Sequence, residues 1–336
     1  ATTREGCTAT FSMDTLLADK PQADFTWLSD CFTPGKNMEF INQSEASFSA
    51  IDTFIWTFRT ETGSVLGETG TGPSQDTISF PFSSQANYTV GLQAINSGGC
   101  SDETTREIAL KPTVVLTPDG YAEDFNGSEA SWSIRSDDAV ESWVWGVPDF
   151  NGYEPAAGDR AWYTDLPFGV VGYNENSWIQ SPCFDFSKMK RPLIQVDIMR
   201  SFVPNLSGAV LQYQDAIEEG WKTVGLYREG IEWYNSNTIF NSPGGSSYGW
   251  SLNAFEPDRE WVTARHDLDL VAGRSGIKFR FVIGTNGGQQ IGNQGFAFDN
   301  VHIAERTKRS VLEHFTSSAD VASRSADDRV DRYFEE

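Results

Sequence analysis

Apolar residues recur at every second position in short bursts along the first third of this chain. Phe25/Trp27, Met38/Phe40, Phe54/Trp56/Phe58, Ile78/Phe80/Phe82 and Tyr88/Val90/Leu92 each alternate with polar or small residues. A period of two marks a strand with one face in a core and one toward water. The pattern breaks at 113–119, which ends in the turn signal Pro118-Asp119-Gly120. It then resumes. Ala122-Glu-Asp-Phe125 opens the second stretch, and Trp143/Trp145, Leu193/Val196/Ile198, Val210/Leu211/Tyr213 and Ile277/Phe279/Phe281/Ile283 follow. Phe296/Phe298/Val301/Ile303 closes it. From 307 onward the period changes. Ser310 to Thr316 predicts one strand, and Asp320 to Glu336 predicts a helix with Ala322, Ala326, Val330, Tyr333 and Phe334 on one face.

About seven short strands in about 90 residues predict an immunoglobulin-like sandwich over 22–112. One nearly all-β stretch over 113–306 predicts a two-sheet jelly roll, entered through a linker at 113–119. The fold class is therefore all-β, with a short strand–helix piece at 307–336. A gapless repeat sharpens the boundaries: Ala1-Thr-Thr-Arg-Glu-Gly6-Cys7 aligns with Ala94-Ile-Asn-Ser-Gly-Gly99-Cys100, and Lys20-Pro21 is echoed by Lys111-Pro112. Residues 1–21 thus read as the last strand and linker of a preceding copy of the 22–112 unit, which makes the chain part of an array.

Composition changes the picture in two ways. The chain has 336 residues, 39% hydrophobic and 13% aromatic, which suits folded β modules. Its net charge of −22 repels phosphate backbones and excludes nucleic acid as a partner. No run of 18 apolar residues exists, so no helical membrane insertion is expected. The four cysteines, Cys7, Cys31, Cys100 and Cys183, form no CxxC pair, which leaves zinc ribbons and thioredoxin chemistry unsupported. Cys31 and Cys100 fall near opposite ends of the complete repeat, and a disulfide between them is the expected pairing, implying an oxidising compartment. Cys7 would have its partner in the preceding copy, and Cys183 reads as a buried thiol.

Phe40-Ile-Asn42-Gln-Ser44, Trp56-Thr-Phe58, Tyr88-Thr-Val90-Gly-Leu92 and Gly99-Cys100 together resemble a polycystic-kidney-disease (PKD) domain. That family follows its Trp-x-Phe strand with Gly-Asp or Gly-Asn, whereas this chain has Arg59-Thr60. The second stretch resembles the MAM-like and lectin-like jelly rolls of secreted Bacteroidota proteins. It does so through the opening Glu123-Asp124-Phe125, Ser181-Pro182 with Phe184-Asp-Phe-Ser187, Gly220-Trp221, Trp261 before Asp267-Leu268, the Ile277 to Phe281 strand, and the closing Phe298-Asp299-Asn300-Val301. The final strand–helix piece resembles the start of the thioredoxin-like domain of Omp28-related surface proteins. The family's cysteines would fall near Asp320 and Ser323, so no redox chemistry carries over.

No catalytic motif stands out. His266, His302 and His314 lie on different elements, and neither HExxH nor GxSxG is present. Glycine-rich 284–295 sits between strands and reads as a β loop. Two binding features remain. In carbohydrate-binding jelly rolls of this kind the first and last strands pair and acidic residues on them hold calcium. The resemblance therefore implies a Ca²⁺ site at Glu123, Asp124, Asp299 and Asn300, an oxygen-only set suited to a hard cation. Trp233, Tyr234, Tyr248 and Trp250 flank a Ser/Gly/Pro/Asn-rich loop and are the aromatics expected at the surface, where they could grip a glycan or a protein. Thr15 and Thr77 lie in Asp-Thr-apolar triplets that resemble the O-glycosylation sequon of secreted Bacteroidota proteins.

These readings converge on a non-catalytic segment of a large exported cell-surface protein acting in adhesion, cell contact or extracellular assembly. The first sandwich would space and the jelly roll would bind. The resemblance implies export by the type IX system of gliding Bacteroidota. Two alternatives use the same modules: an accessory carbohydrate-binding region of a secreted hydrolase, and an interface subunit of an outer-membrane secretion or gliding machine.

Overall fold

The computed structural model describes residues 4–8, 10, 19–136, 142–148, 160–164, 172, 174–215, 220–252, 260–286 and 295–306. The chain divides into two compact units, Ala1–Glu305 and Arg306–Glu336. The strand and helix predicted in the second unit lie outside the described residues, as does Thr15.

The alternating bursts of the first third are strands. In chain order they are β1 (Phe25–Trp27), β2 (Cys31–Phe32), β3 (Met38–Asn42), β4 (Ile51–Thr60), β5 (Val65–Thr71), β6 (Thr77–Phe80), β7 (Asn87–Asn96) and β8 (Ser101–Ala109). One sheet runs β1-β3-β6 and the other β5-β4-β7-β8, the strand order of an immunoglobulin-like Greek key. The inward members of each burst make the core. Trp56, Phe25, Phe40 and Leu92 are fully buried, and Phe25 meets Trp56 edge to face at 5.2 Å between centroids. Tyr88, at the start of β7, donates its hydroxyl to the Ser84 carbonyl at 2.9 Å. That is the tyrosine corner of such sandwiches. The β4–β5 hairpin turns at Gly63, after Arg59-Thr60, where Thr60 N–H reaches Ser64 O at 2.9 Å. Turn glycine therefore comes later than in the family pattern.

The repeated pattern has a shared backbone. Arg4-Glu5-Gly6-Cys7 and Ser97-Gly98-Gly99-Cys100 make the same turn, with Gly6 at φ 84° and Gly99 at φ 80°. Only a residue without a Cβ takes this region freely. Asp19 and Lys20 are fastened to the sandwich: Asp19 accepts the N–H groups of Ser47, Phe48 and Ser49, and Lys20 pairs with Asp102 at 2.5 Å.

The expected linker is not a free tether. Lys111–Val115 form β9, which runs parallel to β2 over its first residues and parallel to a later strand, β14, over its last three. The second sandwich supplies β10 (Tyr121–Glu123), β11 (Ser133–Ser136), β12 (Trp143–Gly146), β13 (Ala161–Thr164), β14 (Asn176–Asp185), β15 (Pro192–Ser201), β16 (Gly208–Gln214), β17 (Lys222–Thr223), β18 (Val262–Asp267), β19 (Ile277–Gly284) and β20 (Gly295–Glu305). One sheet runs β12-β13-β20-β15-β18 with β10 on β20; the other runs β17-β16-β19-β14-β9-β2 with β11 on β14. Between them lies an aromatic core that includes Phe125, Trp132, Phe281, Phe296 and Phe298, with Phe281 stacked on Phe298 at 4.1 Å. Both sandwiches are all-β among the described residues, as the alternation predicts.

The junction corrects the expected disulfide. Cys31 bonds to Cys183, with Cα atoms 5.7 Å apart, and not to Cys100. Cys183 is therefore no free thiol. The reason is β9: by pairing with both β2 and β14 it brings the ends of those strands together, while Cys100 stays at the β7–β8 turn, where its N–H bonds Asn96 Oδ1 at 2.9 Å. Polar contacts surround the bridge. Lys278 Nζ lies 2.5 Å from Asp30 Oδ1, Lys111 N–H donates to Asp30 O at 2.8 Å, and the buried Lys111 Nζ donates to Ser133 Oγ at 2.8 Å. Burial, reinforced by the nearby charges of Arg135 and Lys278 and opposed by Asp30, pulls the Lys111 ammonium from its ordinary 10.5 down to about 8.

Candidate binding faces of the second sandwich

The aromatics predicted at the surface are core residues. Trp233, Tyr234 and Trp250 are 3%, 0% and 0% exposed. Their polar tips are satisfied inside. Trp233 Nε1 donates to Val224 O at 3.0 Å, Trp250 Nε1 to Glu232 O at 3.0 Å, and the Tyr234 hydroxyl to Leu211 O at 3.0 Å. Tyr248 is partly exposed, with its hydroxyl on Gly225 O at 3.2 Å. The polar loop between these aromatics folds back onto the sandwich through the Ala209–Trp250 and Ser236–Gly249 bridges, and so presses the rings inward. Gly208 permits that approach, since a Cβ there would stand 2.5 Å from Ile239 and 2.7 Å from the Trp250 carbonyl.

The acidic residues predicted to hold calcium sit where the opening and closing strands meet, β10 against β20. At Val301 β20 still pairs with β10; by Phe298 its partner is β13. The register with β15 slips between Gln195 and Asp197, and Asn300 takes φ 50°. This is a bulge at the point where the neighbouring strand changes. Glu123, Asp124 and Asn300 line a groove of about 520 Å³ together with Asp197, Gln195 and His302 and the apolar Ala122 and Val301. Asn300 Nδ2 donates to Asp197 Oδ2 at 2.8 Å, and Thr263 Oγ1 donates to Asp197 Oδ1 at 2.6 Å. Glu123 Oε1 accepts the Phe125 N–H at 2.9 Å, and Asp124 Oδ1 the Asn126 N–H at 3.1 Å. Partial burial raises the Glu123 carboxyl above its ordinary range, opposed by the Phe125 N–H and assisted by the Asp124 charge. Asp299 is fully buried, with Oδ1 on the Asn300 N–H at 2.7 Å.

The donor types of this set suit a hard cation, but the positions do not gather into a cage. Among the described residues the one group of three acidic, histidine or cysteine side chains with ligand atoms within 4.8 Å of one another is Asp30, Cys31 and Cys183, and two of those are in the disulfide. As placed, the four predicted residues do not fit a resident calcium ion.

A different face was hidden from the sequence. On the outer side of the second sheet, Ser133, Gln180, Arg280, Gln212 and Thr223 lie directly opposite one another across β11, β14, β19, β16 and β17. The adjacent row, Ile134, Ile179, Phe281 and Leu211, points into the core. Arg280 stands between two indoles, 4.4 Å from the Trp178 ring centroid and 4.4 Å from that of Trp221. Cation–π attraction holds it there. Its Nε and Nη2 reach Gln212 Oε1 at 2.9 and 2.7 Å, and Gln212 Nε2 in turn donates to Gly244 O at 2.9 Å. The guanidinium is thus fixed from three sides, and both partly exposed tryptophans are held in place beside it. The result is an ordered apolar–polar platform in a sheet face, with Gln180 next to the Arg280 backbone position. Trp178 and Trp221 are far apart in sequence and share Arg280 as a partner, so periodicity could not have singled them out. Thr77, the other sequon threonine, is exposed at the start of β6.

No helix among the described residues is long and apolar enough to cross a membrane. No family model matches the chain, and no curated protein matches it. Among solved structures, a carbohydrate-binding module of the β-sandwich super family is similar at 13% identity and a TM-score of 0.33, covering 86% of this chain and 100% of its own. The PKD1 domain of Vibrio anguillarum Epp is similar at 20% identity and a TM-score of 0.22, over 28% of this chain and 96% of its own. The K1 cleaved adhesin domain of Lys-gingipain from Porphyromonas gingivalis W83 is similar at 16% identity and a TM-score of 0.33, over 56% of this chain and 98% of its own.

Proposed function

We propose that this chain is a non-catalytic binding segment of an exported cell-surface protein, in which the first sandwich spaces and the second binds glycan through the Trp178–Arg280–Trp221 face. The observation that carries this reading is the fixed stack itself. Two partly exposed indoles held rigidly around one guanidinium offer a sugar ring an apolar surface to lie on, at little ordering cost. Export is supported by the Cys31–Cys183 bridge, since disulfides persist in oxidising compartments. The net charge of −22 supports a partner without a phosphate backbone. The parent would act in adhesion, cell contact or extracellular assembly, and the resemblance of both modules to those of secreted Bacteroidota proteins favours the type IX route. Affinity electrophoresis of the full chain through gels containing soluble polysaccharides tests the binding claim. Retardation that disappears in Trp221→Ala supports it, and retardation unchanged by that substitution places binding elsewhere.

A further inference from the structure

The disulfide joins residues 152 positions apart, and where those positions fall in the fold has a mechanical consequence. Cys31 opens β2, four residues after the end of β1; Cys183 lies near the end of β14. Everything between, from β3 to β13 and most of β14, is enclosed in one covalent loop. That loop contains six of the seven strands of the first sandwich (all but β1), the remainder of β2, the junction strand β9, and the opening strands of the second sandwich.

We infer that the Cys31–Cys183 bond takes residues 32–182 out of the path of any tension drawn between the two ends of the chain, and that reduction returns them to it. A pull entering through Lys20 and β1 reaches Cys31, crosses the two sulfurs, and continues from Cys183 into β15 to β20. Covalent bonds span 5.7 Å between the two Cα atoms where the enclosed chain, fully extended, would span roughly 500 Å at about 3.3–3.6 Å per residue. While the bond is intact the enclosed residues cannot lengthen the molecule even if they unfold. Reduction by a dithiol gives each cysteine sulfur one electron and one proton, and the reductant closes its own disulfide. The first sandwich and the junction then stand in series with the rest. What still holds the junction against the pull is non-covalent: the pairing of β9 with β2 and β14, the Lys278–Asp30 pair, the Lys111 N–H on Asp30 O and the Lys111 Nζ on Ser133 Oγ. The chain is thereby a tether with two lengths, set by the redox state of one bond.

The test is to pull the full chain in optical tweezers by handles at its first and last residues. Oxidised chain should release, on complete unfolding, roughly 500 Å less contour length than the same chain in a dithiol, a loss of nearly half. The Cys31→Ser/Cys183→Ser variant should give the longer value with or without the reductant. Equal lengths for oxidised and reduced wild type would overturn the inference. Pulling lengths do not depend on glycan binding, so this result and that of the Trp221→Ala experiment stand or fall separately.

Discussion

Trp233 and Trp250 meet edge to face inside the second sandwich, with ring centroids 4.8 Å apart and planes at 71°. Tyr234 packs against both, at 5.4 and 4.8 Å. The cluster closes one end of the core, where Trp250 also stacks on Phe296 at 5.7 Å. Trp250→Ala should cost about 3–5 kcal/mol, the range for truncating a buried large aromatic. Denaturant unfolding measures it; a loss under about 1 kcal/mol would return these rings to the surface.

Cys183→Ser opens a loop of 152 residues. On chain-entropy grounds that should remove about 5 kcal/mol. Calorimetry should show a melting temperature lower by roughly 10 °C or more. Non-reducing peptide mapping should find Cys31 linked to Cys183; a Cys31–Cys100 peptide would contradict the junction described above.

Lys111 gives a pH signature. Burial lowers its folded-state pKa to about 8 from an ordinary 10.5, so the folded chain binds the proton less well than the unfolded one. Between those two values the unfolded state holds more protons, and stability rises with pH through that window. Below about pH 8 both states are protonated and the burden of burying the charge is fully present. Chemical denaturation from pH 7.5 to 10 should show the rise, and Lys111→Met should flatten it. An identical slope in that variant would assign the effect to other groups.

Melting in EDTA decides whether calcium binds between β10 and β20. Glu123 and Asp124 are engaged with turn N–H groups and Asp299 is buried, so EDTA should leave the melting temperature unchanged to within about a degree. A fall of several degrees, reversed by added calcium and absent in Glu123→Gln, would show that these carboxylates turn to hold an ion.

The strands were legible because their signal is local. Phe54, Trp56 and Phe58 alternate with Thr and Ile on β4, and the three inward rings are the buried ones. The pairing of Glu123 with Val301 was legible too, since sandwiches of this class pair their first and last strands. What failed was long-range. Nothing near Cys31 or Cys183 says that β9 will run parallel to both of their strands. The Ser/Gly/Pro/Asn-rich loop around Trp233 and Trp250 looks like a surface loop because its composition is one. Asn237, Thr238, Phe240 and Ser247 do face water, but Ser236, Ile239, Pro243 and Ser246 are buried and the rings at its roots anchor the loop to the core. Trp178, Trp221 and Arg280 come from a strand, a turn and another strand, and only the register Gln180–Arg280–Gln212 brings them together.

The most direct test of the central claim is to compare wild type and Trp221→Ala of the full chain in affinity electrophoresis across a panel of soluble polysaccharides, alongside their melting curves. The proposed function predicts that at least one polysaccharide retards the wild type and not the variant, with melting temperatures within a few degrees. If the variant is retarded as strongly as wild type, or if no polysaccharide retards either, the Trp178–Arg280–Trp221 stack is a structural ladder and not a glycan site.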